Sequence, residues 1–333
     1  MLSDLIRLES QFVGKAAALL PFFEDDSVSD ILIQGIDSAY VERNGRLESI
    51  PNPFTDRTSL DLLIERLMVS TGRRLDARSP FSDGVLGDGS RFHLVVPPAS
   101  PSGPCVSIRK LKRRQPLTLL HFGEADLTRF LISELEAKKN MLISGGTGAG
   151  KTTLLGLLIS AVAPETRWLL VEETPEILTD VPHVVRLEAK PANAEGAGEI
   201  TLRQLVRQTL RMRPDRIVVG ECRGGEAFDM LQAMATGHSG SLGTLHASSA
   251  REALSRFECL VGLGEAGLPF EAIRRWIGQA VDWVVHVERE ATARRITQVL
   301  KVEGTEGDKY RISPVFPLEI GAGARNPWPG IVA

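Results

Sequence analysis

The nine residues GGTGAGKTT, Gly145 to Thr153, constrain this 333-residue chain more than any other stretch. They fit the pattern G-x-x-x-x-G-K-[S/T], which has physical meaning only between an apolar strand and a helix. NMLISG supplies the strand and TTLLGLLISAV the helix. Glycines let the backbone N–H groups of such a turn wrap an anion, and the helix that follows points its positive end at the same place. Gly146, Thr147, Gly148, Ala149, Gly150, Lys151, Thr152 and Thr153 are therefore the candidate phosphate cradle, with ATP as its ligand. Lys151 is suited to neutralise the β- and γ-phosphates, and the Thr152 hydroxyl to ligate Mg²⁺.

A phosphate loop of this kind asks for a carboxylate at a neighbouring strand end. RIVVGE, Arg216 to Glu221, is an apolar strand that ends in one. In a parallel sheet the carboxyl ends of the strands converge beside the loop, which makes Glu221 the candidate for polarising the attacking water. WLLVEETPEI places Glu172 and Glu173 at the end of another buried strand. One or both could orient Mg²⁺ through water or help position the nucleophile; paired acids also often only cap a strand-to-loop exit.

The rest of the chain sorts around that centre. From Asn140 on, short apolar strands alternate with helices, the pattern of a parallel sheet with helices on both faces. WVVHVERE, RRITQVLKVE and KYRISPVF then read as antiparallel strands extending it. Residues 2–23 read as one or two short helices; with the hairpin signal Asn44-Gly45 and a periodic helix from Ser59 to about Thr71, the order is αββαββ, an open-sheet α+β domain. The boundaries expected are 1–112 for this domain, 113–126 for a linker rich in charge, and 127–333 for the α/β domain. In LRQLVRQTLRMRPD, Arg203, Arg207 and Arg211 fall on one helical face and read most simply as solvated.

Composition excludes rather than selects. A net charge of −3 gives no global basic field for nucleic acid or an anionic membrane. The longest apolar run, AAALLPFF, is far short of a membrane span, and the N-terminus lacks the marks of a signal peptide. The three cysteines are scattered, which argues against a disulfide framework or a zinc ribbon.

The order of GGTGAGKTT, VEETPEI, RMRPDRIVVGECRG and TGHSGSLGTLHA resembles the Walker A, Asp box, Walker B and His box of the type II/type IV secretion ATPases. GRRLD, DGSRFHLVVPP, SIRK and EGTEGD are most similar to the CpaF-type ATPases of Tad/Flp pili, with conjugation-type relatives as the nearest competitor. The resemblance implies an N-terminal PAS-like α+β domain followed by a RecA-like P-loop NTPase domain. It also implies a homo-hexameric motor that hydrolyses ATP in the cytoplasm and is peripheral to the inner membrane through a pilus or secretion platform protein. Arg91 in GSRF and Arg109 in SIRK match the family's arginines that reach the γ-phosphate. Glu173 stands where the family's Asp box usually has Asp, one methylene longer. A tetracysteine zinc module of the type II kind cannot be built from the cysteines present.

Within this frame His246 is expected at the sheet edge beside Glu221, as a sensor of phosphate state, and His238 at the strand's far end, as an intersubunit or helix-end contact. Two other readings stay open: a nucleic-acid translocase on the same core, and a nucleotide-gated scaffold with scarcely any turnover.

Overall fold

The computed structural model describes residues 11–69, 71, 73–110, 117–192, 196–265, 267–290 and 293–316. It divides into two compact units, Met1–Pro116 with Ala192–Gly198, and Leu117–Pro191 with Glu199–Ala333.

In the first unit, alternation of apolar and polar residues builds an antiparallel sheet of order β3-β2-β1-β6-β5-β4. The strands are β1 Val28–Gln34, β2 Ser38–Arg43, β3 Arg46–Ile50, β4 Phe81–Val85, β5 Arg91–Val95 and β6 Cys105–Arg109. Asn44 and Gly45, at φ +49° and +81°, make the two-residue turn between β2 and β3. One face buries Ile31, Ile33, Val41, Phe92 and Ile108 against Leu60, Leu63, Ile64 and Leu67 of the helix Arg57–Val69, whose spacing is that of one helical stripe. Six strands replace the four expected. β4 escapes a reading by periodicity because Gly84 stands opposite Phe92, where an added Cβ would lie 2.2 Å from the ring. The helical reading of residues 2–23 falls partly outside the described residues. Within them it becomes a 3₁₀ segment, Gly14–Leu19, and a short helix, Leu20–Glu24.

The second unit is a doubly wound sheet of order β14-β13-β12-β7-β11-β10-β8-β9. Its strands are β7 Met141–Gly145, β8 Trp168–Glu172, β9 Val184–Glu188, β10 Arg216–Val219, β11 Leu242–Leu245, β12 Trp283–Glu290, β13 Ala293–Glu306 and β14 Lys309–Phe316. The central strands are apolar on both faces because both are covered. Leu142, Val171, Val219 and Leu245 face one core, shared with the helices Glu226–Ala235, Ala250–Gly264 and Phe270–Ala280. Ile143, Leu170, Val218 and Leu242 face the other, shared with the helices Ala125–Glu136 and Lys151–Ala161.

Three readings of the sequence are corrected or extended here. β12 pairs parallel with β7, so only β13 and β14 extend the sheet in antiparallel fashion. β9 was not expected; it is an edge strand with no fully buried residue. The solvated face read for Arg203, Arg207 and Arg211 is only part of the picture: Arg207 and Arg211 are exposed, yet Arg203 and Arg207 both bind the carboxylate of the buried Asp229, at 2.8 and 2.6 Å. From the stretch expected to be a linker, Leu117, Leu119 and Phe122 pack on the second unit's core, while residues 111–116 lie outside the described ones.

Candidate functional site

The phosphate loop is formed where β7 runs out between two parallel neighbours. Val287 of β12 lies so close to Gly145 that a Cβ there would meet its carbonyl oxygen at 2.3 Å. Gly150, at φ +102°, takes the left-handed turn that launches the helix Lys151–Ala161. Lys151 is folded back over the loop, only 8% exposed, and donates to the carbonyls of Gly145 and Gly146 at 3.0 and 3.1 Å. Burial pushes its ammonium below the ordinary lysine range; Glu221 opposes that and Arg223 adds to it. A cation held by loop carbonyls, with open space beside Gly146, suits the polyphosphate of a nucleotide.

β8 and β10 are parallel neighbours, so their carboxyl ends bring the acids together. Glu221 accepts from Arg223 Nε at 2.8 Å and Nη2 at 2.6 Å, while Arg223 Nη1 donates to Glu173 at 2.8 Å. Glu172 is differently used. It is buried, and one carboxylate oxygen accepts from the backbone N–H of Glu176 and Ile177, at 2.8 and 2.9 Å. Its other oxygen lies 3.4 Å from Arg186. A carboxylate so engaged fixes the loop after β8, whereas Glu173 is turned to Arg223.

β11 lies between β7 and β10, and His246 follows it directly. Together with Gly146, Ser248, Glu252, Arg256, His286 and Glu288 it lines an open cleft of about 440 Å³. His286, buried on β12, meets Ser144 Oγ at 2.9 Å and Glu288 at 3.3 Å. Burial holds its imidazole below the ordinary histidine value, against the pull of Glu288. His238 precedes β11 at the other end; its carbonyl accepts from Ser241 Oγ at 2.6 Å, and its Nδ1 is buried with no partner among the described residues. The two histidines are thus separated by the length of a strand.

Arg91 and Arg109 belong to the first unit, where they stand directly opposite each other on β5 and β6. Asp30 of β1 flanks Arg109 on its other side. Their neighbours Phe92 and Ile108 point into the core, which puts both arginines on the sheet's other face.

Three arginines beside the loop were not singled out from the sequence. Arg223 carried a usable signal, since it stands two positions after Glu221 with the buried Cys222 between them. Arg289 and Arg294 carried none. They pair across β12 and β13 and reach the loop only because β12 is the parallel neighbour of β7. A Cβ on Gly150 would lie 2.5 Å from Arg294 Cδ, and one on Gly148 3.8 Å from Arg289 Nη1. Arg294 Nε is buried there without a partner among the described residues.

The description of type II/IV secretion system proteins matches residues 14–298. The chain belongs to that family. It is 40% identical over 318 residues to a protein of Mycobacterium tuberculosis named for conjugal transfer, a match covering 92% of this chain and 90% of that one. The type IV secretion system protein VirB11 of Brucella suis is 30% identical over 338 residues, covering 89% and 94%. The pilus retraction motor PilT, solved with bound ADP, superposes with a TM-score of 0.62 at 21% identity, over 83% of this chain and 79% of that one. That likeness fixes the fold of this family member as RecA-like α/β. Among the described residues, no helix is long and apolar enough to cross a membrane.

Proposed function

We propose that this chain is the ATP-hydrolysing motor subunit of a type IV secretion or conjugation machine. The observation that carries the proposal is a glycine-rich loop with Lys151 folded over it, at the same carboxyl edge of the parallel sheet as Glu221 and Glu173, which Arg223 ties together. Lys151 and the backbone N–H groups from Gly146 to Thr153 would hold the phosphates. Glu221 would orient the attacking water and take up its proton, and His246 would register the state of the γ-phosphate. Mg²⁺, held by Thr152 and through water by Glu173, would supply charge neutralisation of the phosphates when bound.

Membership of the secretion family supports a homo-hexameric ring working on an inner-membrane platform from the cytoplasmic side. In such a ring Arg91 and Arg109 would contribute charge to the γ-phosphate. The pilus-assembly branch, suggested by GRRLD and EGTEGD, is the second reading; the relatives named for conjugal transfer and type IV secretion favour the first.

Phosphate release from purified protein tests the activity. Lys151→Ala and Glu221→Gln should each lower turnover by about 100-fold or more, with Glu221→Gln still binding ATP. Wild type as slow as Glu221→Gln would leave a nucleotide-gated scaffold in place of a motor.

A further inference from the structure

Arg223 occupies a position that the hydrolysis reading leaves without a role. Its backbone is held on every side. Cys222 N donates to the Thr244 carbonyl at 2.7 Å, and the Cys222 side chain is buried against Met230. The N–H groups of Arg223 and Gly224 both donate to Glu226 Oε1, at 2.5 and 2.7 Å. Its side chain, by contrast, is 61% exposed. The backbone is tied down, while the guanidinium stays open to solvent.

That guanidinium is the counter-charge for two acids at once. It binds Glu221 through two N–H groups and Glu173 through a third, and those acids come from adjacent strand ends. Burial, the largest single influence, works against its charge, but Glu221, Glu173 and Glu176 together hold it above the ordinary arginine value. Lys151 opens the helix after β7 at the same carboxyl edge of the sheet, and the charges of Glu221 and Arg223 both act on it across the space at that edge. A terminal phosphate brought into that space adds about two negative charges beside two carboxylates. Without Arg223 the carboxylates would repel it; with Arg223 the cluster is balanced, and the planar fork can turn from carboxylate to phosphate. A diphosphate, lacking the third group, makes no such demand.

We propose that Arg223 is the specificity-determining residue for the third phosphate, the cation through which this site distinguishes a nucleoside triphosphate from a diphosphate. The inference rests on the nucleotide-binding reading of the site and deepens it.

The test is calorimetric titration of the full chain with ADP and with β,γ-imido-ATP. Arg223→Gln should weaken the triphosphate analogue by about 10-fold or more while ADP affinity stays within about 2-fold. Arg223→Lys, which keeps the charge and loses the fork, should retain most of the preference. Adding Glu173→Gln to Arg223→Gln should recover part of the loss, because it removes a negative charge along with the positive one. Equal weakening of both ligands would make Arg223 a structural residue of the loop, and no change in either would make it a surface ion pair; each overturns the proposal. Wild type that binds neither ligand would instead sink the nucleotide reading on which it rests.

Discussion

The two ends of the central sheet in the second unit treat polar side chains in opposite ways. At the amino edge, Asn140 donates to the carbonyls of Met234 and Ala280 and accepts from the N–H groups of Gly240 and Ser241. Arg216 donates to the Leu135 carbonyl and lies over the Trp168 ring, and Asp282 accepts from Asn140 N and Lys139. These groups bind backbone or a fixed partner, which satisfies them in place. At the carboxyl edge, Lys151, Glu221, Glu173 and Arg223 hold one another or loop carbonyls, and most stay partly open to solvent. A closed network locks strands together; an open one can exchange its partners for a ligand. His238 is the exception at the amino edge, with a buried Nδ1 that has no partner among the described residues.

The contrast can be broken most directly at Asn140. Replacing it with alanine orphans two N–H groups and two carbonyls, and should cost about 3 kcal/mol in a urea unfolding curve. A loss under about 1 kcal/mol would mean that the amino edge is less closed than its geometry indicates. His246→Ala probes the other end. It should reduce kcat by roughly 10- to 100-fold and leave ATP binding and the unfolding midpoint nearly unchanged. Parallel losses in binding and turnover would move His246 to the structural side.

The smallest effect belongs to His286, a closed residue at the open edge. Burial depresses its folded value below 6.5, so the unfolded chain binds the extra proton. Its contribution to stability is therefore present above the unfolded value and is lost as pH falls from there through the folded one. Melting midpoints taken from about pH 7 to about pH 5 should fall more steeply for wild type than for His286→Gln. Superimposable curves would show that the histidine titrates alike in both states.

What could be read without the fold was whatever the chain encodes locally. GGTGAGKTT, the apolar strands around it and the acid after RIVVG are contiguous, and a phosphate loop works in only one strand–turn–helix setting. The parallel sheet followed from short apolar strands alternating with helices. β4 and β9 were hidden because their residues answer to one neighbour, Phe92 for Gly84, or to an exposed edge, and so lack a period.

Tertiary structure alone settled how the charges are shared. Glu172 and Glu173 are adjacent and chemically identical, yet one is buried in backbone hydrogen bonds and the other meets Arg223. Arg289 and Arg294 stand at the loop although more than 130 residues separate them from it, because strand order places β12 beside β7. Sequence determines which groups can be charged. Which charges meet depends on strand order and burial, and these arise only when distant segments pack together.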